Sequence, residues 1–155
     1  MAKIYEIDKL DREILGILIR DAKIPYTDIA KKLIVSPGTI HVRMKRMERL
    51  GIVKGATLII DPAKIGYDMT AFIGVYLVKG SAYSEVIKEV DKIPEIVEAH
   101  YTTGEYSIFA KIICKNTEHL RQVINEKMQT VPGVSRTETI ISLGESIKKQ
   151  IYIEP

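Results

Sequence analysis

The sequence has little of what disulfides and membrane spans are built from. Its 155 residues include a single cysteine, Cys114, which excludes an internal disulfide. Cys114 lies in an alternating apolar segment near Lys111 and Lys115, where a buried, unreactive thiol is expected rather than a nucleophile. No apolar run approaches the roughly 20 residues of a membrane span, and the N-terminus has no signal-peptide pattern. We therefore expect a soluble, cytoplasmic protein with no membrane partner.

The charge is unevenly distributed along a chain that can form packed cores. Hydrophobic residues make up 46% of the sequence, which suits one domain of ordinary size or two small ones. Residues 1–66 hold 13 Lys and Arg against 8 Asp and Glu, whereas residues 67–155 hold 10 against 12. A polyanion partner is therefore expected to bind the first part of the chain.

Residues 36–51 are marked as a helix at both ends. Ser36 can accept a hydrogen bond from the free amides of the first turn, Pro37 suits the first helical position, and Gly51 suits a left-handed stop. On a helical wheel the apolar face is formed by Ile40, Met44, Met47 and Leu50. The opposite face is basic and holds Gly38, Val42, Lys45 and Arg49, flanked by His41 and Arg46.

A second short helix precedes this one. Residues 27–33 predict a helix capped by Thr27, and only the tripeptide Ile34-Val35-Ser36 separates the two helices. Helices joined by so short a turn form a helix-turn-helix, whose second or recognition helix enters the major groove. The sequence therefore predicts double-stranded DNA as a partner, although a solvated basic helix without a ligand is a commoner arrangement.

The rest of the N-terminal half completes a winged helix-turn-helix. Asp8 is expected to cap a first helix, in which apolar residues recur at helical spacing over positions 10–18. Residues 52–60 offer two short β-branched runs around Gly55, which predict a hairpin wing ended by Asp61 and Pro62. We expect a DNA-binding domain at residues 1–60, a linker at 61–68 and a second domain at 69–155.

The second half contains an internal repeat with a period of 38 residues, since Ile93-Pro94-Glu95-Ile96 is echoed by Val131-Pro132-Gly133-Val134. Each copy predicts a strand, a helix and a strand: 71–78, 84–92 and 96–101, then 107–114, 117–128 and 134–143. Two such units form a ferredoxin-like βαββαβ sandwich, so the fold class is α+β. Apolar residues on both faces of the 107–114 strand predict that a second chain covers the open face of the sheet, giving a dimer.

Several stretches carry a family resemblance. They are Leu10-Asp11-Arg12-Glu13-Ile14-Leu15, Ser36-Pro37-Gly38-Thr39-Ile40-His41-Val42-Arg43, Leu50-Gly51-Ile52-Val53 and Tyr101-Thr102-Thr103-Gly104-Glu105-Tyr106-Ser107. Over nearly its whole length the chain resembles the Lrp/AsnC family of bacterial and archaeal transcriptional regulators, with a RAM or ACT-like second domain. Within that family its sequence is most similar to that of the asparagine-responsive member.

The resemblance implies that the recognition helix binds DNA. Lys45, Arg46 and Arg49 are placed for phosphates, and Thr39 and His41 for base edges. Ser36 is placed to bind a phosphate at the helix start. Arg43 lies beside the apolar face, where a salt bridge to the scaffold and a DNA contact are both open. The complete candidate set is Ser36, Pro37, Gly38, Thr39, His41, Val42, Arg43, Lys45, Arg46 and Arg49.

The resemblance further implies that the second domain dimerises, assembles dimers into octamers and binds a small amino acid, asparagine being the candidate. The implied pocket comprises Tyr101, Thr102, Thr103, Gly104, Glu105, Tyr106 and Ser107, with Gln129 and Thr130 from a neighbouring subunit. Amides and hydroxyls there can bind an α-carboxylate, and Glu105 an ammonium group. From the residues alone, a solvated hairpin turn with Gly104 at positive φ is the commoner meaning.

The sequence thus predicts a regulator of amino-acid metabolism, located in the cytoplasm and associated with the nucleoid, and not an enzyme. One alternative is a decarboxylase-like enzyme of haem biosynthesis with the same architecture. His41, His100 and His119 give it little support, because they lack the paired spacing of a metal site or triad, and no metal ion or cofactor is expected. An amino-acid sensor that does not bind DNA, and a protein that wraps DNA without an effector, are further alternatives.

Overall fold

The structure is a computed structural model that describes residues 4–80 and 82–154. The chain divides into two compact units. One unit is formed by the described residues of Met1–Ile59 and Lys148–Pro155, and the other by those of Ile60–Ile147. Within the described ranges, no helix is both long and apolar enough to cross a membrane.

The described part of the first unit contains three helices, α1 (Lys9–Leu18), α2 (Tyr26–Leu33) and α3 (Pro37–Arg49). Asp8 caps α1 as predicted, and its carboxylate and that of Asp11 each accept the other residue's backbone amide. The prediction that Thr27 caps α2 is wrong, because the helix begins one residue earlier with Pro25 as its N-cap. The carbonyl of Pro25 accepts the amides of Asp28 and Ile29, so the first turn forms without a side-chain cap.

The core of the first unit lies between the three helices. Its fully buried residues include Ile14 on α1 and Ile29 on α2. The recognition helix α3 contributes Ile40, Met44 and Met47, which confirms the predicted apolar face. Ile153, near the end of the chain, packs against the same core. The second domain is expected at 69–155, and the described residues from Lys148 onward group with the first unit, where Ile153 packs on the core.

The hairpin predicted at residues 52–60 is not formed. Gly51 ends α3 with a positive φ of 72°, as expected, and the amide of Ile52 donates to the carbonyl of Met47. From there to Asp61 the described chain contains no strand, and Leu58 and Ile59 are exposed. A two-stranded hairpin is marginally stable by itself, and among the described residues Leu58 and Ile59 are not part of either core cluster.

The turn between α2 and α3 holds a strained residue. Ile34 has φ 56° and ψ 48°, the left-handed conformation that a β-branched side chain disfavours, and its side chain is 92% exposed. Replacing Ile34 by glycine would remove about 1–2 kcal/mol of backbone strain from the folded state. It would also cost about 0.5–1 kcal/mol, because glycine gives the unfolded chain more conformational freedom.

We therefore expect Ile34→Gly to raise the free energy of unfolding of the first unit by about 1 kcal/mol, measured by urea denaturation. Ile34→Ala is the matched control, because it removes the exposed side chain but retains the Cβ responsible for the strain. It should gain less than half as much. Equal gains from the two variants would show that the backbone conformation is not the source of the effect.

The described part of the second unit forms a sheet of four antiparallel strands in the order β2-β3-β1-β4. The strands are β1 (Met69–Leu77), β2 (Ile96–Tyr101), β3 (Ile108–Cys114) and β4 (Val134–Ile141). The helices are α4 (Tyr83–Val90) and α5 (Thr117–Gln122), which continues as π-helical Val123–Met128, and a short 3₁₀ turn, Ala63–Ile65, precedes β1. The order confirms the ferredoxin-like prediction, although several ends differ by one or two residues.

The core of the second unit is formed by the helices and the sheet face they cover. It includes Ile73 on β1, Ile112 on β3, Val86 on α4 and Val123 after α5, all fully or almost fully buried. Cys114 is also fully buried, and this burial raises the pKa of its thiol to about 11. The thiol therefore stays protonated at neutral pH, in agreement with the expected unreactive cysteine.

Candidate functional site in the recognition helix and the loop of residues 102–107

The recognition helix presents most of its predicted DNA-binding residues to solvent. The exposed members of the set are Ser36, Pro37, Gly38, His41, Val42, Lys45, Arg46 and Arg49, whereas Thr39 and Arg43 are half-buried. Val42 is 67% exposed in the middle of this basic face, where an apolar side chain can contact a thymine methyl group. The helix therefore combines an inner apolar face with an outer face suited to a polyanion.

The start of α3 is fixed by two hydroxyl side chains. Ser36 Oγ accepts the amide of Thr39 at 3.1 Å and lies 2.9 Å from Thr39 Oγ1. The predicted N-cap role of Ser36 is thereby confirmed. Because Thr39 Oγ1 is engaged with Ser36, a base contact from Thr39 would have to share this hydrogen bond.

Arg43 forms a salt bridge to the scaffold. Its Nη1 lies 2.5 Å from Asp8 Oδ2 and 2.9 Å from Asp11 Oδ1. The hydrogen bond from Arg43 holds the pKa of Asp8 below its usual value, and the two carboxylates raise the pKa of Arg43. Of the two roles left open by the sequence, the structure places Arg43 in the one that fixes α3 against the start of α1.

Asp11 is the functional residue that sequence reasoning missed. Its carboxylate is completely buried and also lies 3.3 Å from Nη1 of Arg46, one of the predicted phosphate ligands. The signal was present, since Asp11 shares the inner face of α1 with Leu15, and an acidic residue on an apolar face requires a cationic partner. Asp11 thus orients two arginines of the recognition helix.

Lys45 and Arg49 are the cations of α3 that remain available. Across residues 4–80 and 82–154, no carboxylate lies within ion-pair distance of either side chain. They are four residues apart, so they point from the same face of the helix. Two unpaired cations at this spacing can bind successive phosphates.

The second candidate site is the exposed loop of residues 102–107, which joins the paired strands β2 and β3. Its ends are tied together: the amide of Thr102 donates to the carbonyl of Ser107 at 3.2 Å, and Thr102 Oγ1 donates to the carbonyl of Tyr106 at 2.7 Å. Gly104 has a φ of 108°, which supports the predicted need for glycine. Thr103, Gly104 and Glu105 are exposed at the tip.

The loop tip carries unpaired donors. Among the described residues, no protein acceptor receives a hydrogen bond from the amides of residues 103–106. Successive amides without a protein acceptor can bind anions such as a carboxylate, and the hydroxyl of Thr103 is a further donor in the same segment. The segment is therefore a hairpin loop in form, and the same geometry suits an α-carboxylate.

Glu138 on β4 anchors the loop to the sheet, a role that no sequence pattern predicted. It accepts hydrogen bonds from Tyr106 at 2.8 Å and from Tyr76 on β1 at 3.0 Å. These bonds lower the pKa of Glu138, and the bond to Glu138 raises the pKa of Tyr106. The pairing depends on the register that places Glu138 opposite Gly74, which no local sequence pattern reveals.

The structure does not bring all predicted effector residues together in one chain. Tyr101 stacks on Tyr83, with ring centroids 4.1 Å apart. Thr130 Oγ1 instead donates to the carbonyls of Glu126 and Lys127. In the described part of the chain, no hydrogen bond, ion pair or ring contact joins Gln129 or Thr130 to the 102–107 loop.

The open face of the sheet is rich in aromatic residues. The rings of Phe72 and Phe109 stack with centroids 5.7 Å apart, and Tyr106 lies 6.0 Å from Phe109. The guanidinium of Arg136 lies 3.8 Å above the ring of Tyr76. In the single chain these aromatic side chains are half-buried, so the expected burial of this face is incomplete without a further surface.

Comparison with known proteins identifies both units. Residues 7–54 match the family described as winged helix-turn-helix DNA-binding, and residues 70–152 match the Lrp/AsnC ligand binding domain. The chain is 45% identical to the regulatory protein AsnC of Haemophilus influenzae, over 95% of this chain and 98% of that protein. The chain belongs to the Lrp/AsnC family.

Further proteins are similar to this chain in sequence or in fold. The structure of Escherichia coli AsnC superposes with a TM-score of 0.89 at 41% identity, covering 95% of this chain and 99% of that one. The transcriptional regulator FL11 of Pyrococcus horikoshii is 42% identical over 88% of this chain and 89% of its own length. A Neisseria meningitidis regulator solved in complex with L-Met has a TM-score of 0.89 and covers 97% of both chains, but at 22% identity it shows the fold alone.

Membership of the Lrp/AsnC family decides between the functional classes. The relatives are named as regulatory proteins and the N-terminal match is a DNA-binding domain, so the chain is a DNA-binding transcriptional regulator and not an enzyme. Its second unit is a ligand-binding domain. The histidines have separate neighbours: His100 lies 2.6 Å from Glu98, His119 lies 3.1 Å from Glu95, and the ring centroid of His41 lies 6.3 Å from that of Tyr26.

Proposed function

We propose that this regulator binds double-stranded DNA through the outer face of α3, and that a small amino acid, with asparagine as the candidate, modulates the binding from the 102–107 loop. The observation that carries the proposal is that some basic residues of α3 are paired with carboxylates and others are not. Arg43 is held by Asp8 and Asp11, whereas Lys45 and Arg49 project into solvent.

We assign the contacts on DNA by position along α3. Lys45 and Arg49 bind phosphates, and Arg46 does so from its place beside Asp11, since its side chain is 46% exposed. At the helix start, the free amides of Ser36 and Gly38 bind the phosphate backbone of the DNA. Thr39, His41 and Val42 face the bases. Arg43 acts through the scaffold, because its bonds to Asp8 and Asp11 fix α3 against the start of α1.

The proposed amino-acid site follows from the chemistry of the loop. The free amides of residues 103–106 bind the α-carboxylate, together with the hydroxyls of Thr103 and Ser107, and Glu105 binds the ammonium group. Thr102 closes the loop beside the site, because its hydroxyl donates to the carbonyl of Tyr106. Tyr101 and Tyr106 form the walls. Gln129 and Thr130 of a neighbouring subunit read the ligand side chain, which is consistent with their separation from the loop within one chain.

Assembly completes the proposal. A second copy covers the open sheet face around Phe72 and Phe109, and dimers assemble into octamers around the amino-acid sites. A bound amino acid then changes the spacing of the paired recognition helices relative to successive turns of DNA. Residues 1–60 act as the DNA-binding domain, 61–68 as the linker and 69–155 as the effector and oligomerisation domain, in a protein of the cytoplasm and nucleoid.

Fluorescence anisotropy tests this function. The protein is titrated against a duplex from upstream of its own gene and against a scrambled duplex, over a salt series, with and without L-asparagine. Tighter binding to the upstream duplex, altered by L-asparagine, is the expected result. Binding that none of the 20 common amino acids alters would contradict the effector site, and absence of binding at moderate salt would contradict the DNA site.

A further inference from the structure

The 102–107 loop is organised around one residue, Tyr106. Its backbone carbonyl accepts the hydroxyl of Thr102 at 2.7 Å, which closes the loop. Its phenol donates to Glu138 at 2.8 Å, which ties the loop to β4. The next amide, that of Ser107, donates to the carbonyl of Val75 on β1 at 2.9 Å. The loop is therefore held by contacts of Tyr106 and of its neighbour Ser107, while residues 103–105 at the tip are exposed.

The space for the Tyr106 ring is provided by a glycine. Gly74 on β1 lies directly under the ring, so that a Cβ at this position would collide with three of its carbon atoms. The ring of Tyr76 meets that of Tyr106 edge to face, with centroids 5.2 Å apart. Tyr106 thus lies flat on the central strand, and its hydroxyl reaches the neighbouring edge strand.

Glu138 joins this anchor to the open face of the sheet. Its side chain is 43% exposed, and its two oxygens accept one phenol each, from Tyr76 and Tyr106. Arg136 Nη1 lies 3.5 Å from Glu138 Oε1, and Phe109 stacks beside Tyr106; both residues belong to the face that the proposed dimer covers. Covering this face would exclude water from the carboxylate and strengthen both hydrogen bonds.

We infer that Tyr106, through its hydrogen bond to Glu138, is the positioning residue that holds the 102–107 loop in its amino-acid-binding conformation and links loop order to coverage of the open sheet face. The inference rests on the proposed amino-acid site and adds a mechanism to it. Amino-acid binding and self-association then favour each other, because both select the same arrangement of Tyr106 and Glu138.

The chain offers a matched pair of variants. Tyr106→Phe and Tyr76→Phe each remove one hydroxyl from the same carboxylate and leave the ring in place, but only Tyr106 belongs to the loop. Both should lower the melting temperature by similar amounts. Only Tyr106→Phe should release the loop, since a lost hydrogen bond to a charged acceptor frees the segment that it anchors.

Hydrogen exchange measured by NMR is the first readout and needs no ligand. In Tyr106→Phe the amides of Thr102 and Ser107 should exchange about tenfold faster, and in Tyr76→Phe they should change by less than about twofold. Equal acceleration in the two variants, or none in either, would overturn the anchoring role of Tyr106.

Calorimetric titration with L-asparagine is the second readout. Its dissociation constant should rise about five- to tenfold in Tyr106→Phe and stay within about twofold in Tyr76→Phe. In the unmodified protein, binding should tighten as protein concentration rises through the monomer–dimer range, and concentration-independent binding would overturn the link to the sheet face. If the unmodified protein binds none of the 20 common amino acids, the proposed effector site fails, whereas hydrogen exchange still decides the anchoring role.

Discussion

In an Asp11→Asn variant, the free energy of unfolding of the first unit, which contains α1, α2 and α3, is expected to fall by about 3 kcal/mol. The carboxylate of Asp11 is completely buried and lies 2.9 Å from Arg43 and 3.3 Å from Arg46. Asparagine keeps the shape but removes the charge, so that two guanidinium groups lose a buried counter-ion. The loss is large because the buried Asp11 carboxylate accepts charge-assisted hydrogen bonds from both arginines, and bonds of this kind contribute about 1.5–3 kcal/mol each.

Urea denaturation, monitored through the exchange rates of individual amides, measures the free energy of unfolding separately in the two units. Asp28→Asn is the control, because it removes the same charge from an exposed pair with Lys31 and should change the free energy of unfolding by less than about 0.5 kcal/mol. A loss below about 1 kcal/mol in Asp11→Asn would mean that Asp8 alone is sufficient to hold Arg43.

The Lys45→Ala/Arg49→Ala double variant is expected to weaken DNA binding about sixtyfold at 0.1 M monovalent salt for each recognition helix that contacts the duplex. Each phosphate contact contributes about 0.9 to the slope of log K against log salt, so losing two contacts per helix reduces the slope by about 1.8 for each bound helix. The loss should be similar on the upstream and the scrambled duplex, since phosphate contacts carry no sequence information. Anisotropy titrations over a salt series measure both quantities.

Lys88→Ala/Lys92→Ala provides a control with the same change in net charge and the same spacing of four residues. Both lysines are exposed and belong to the ligand-binding unit. Affinity should fall less than about threefold and the salt slope should stay unchanged. If this control matches the double variant on α3, general charge attraction explains the binding and the assigned phosphate contacts are wrong.

The structural features that the sequence predicts are those decided by local chemistry. Ser36, Pro37 and Gly51 mark the ends of α3 because capping, a fixed φ and a left-handed stop act within one turn. The 38-residue repeat predicts the sandwich for a similar reason, since each copy contributes two strands to the sheet and one helix whose apolar face packs on it.

The features that the sequence does not predict depend on distant partners. The bonds between Arg43 and Asp11 join residues 32 positions apart, and those between Tyr106 and Glu138 also span 32 positions. Both require the packing of elements whose relative register no local pattern specifies. The hairpin around Gly55 failed for the related reason that β-branched residues form strands only where a partner strand or surface receives them.

The packing of Ile153 makes the first unit dependent on two segments that are far apart in the sequence. The polypeptide leaves this unit near Ile59 and returns to it at Lys148, so the ligand-binding unit is inserted in sequence between two segments of the unit that precedes it. A fragment ending at residue 60 would lack a side chain that packs on its own core. Exchanging ligand-binding units between relatives would accordingly require two splice points rather than one.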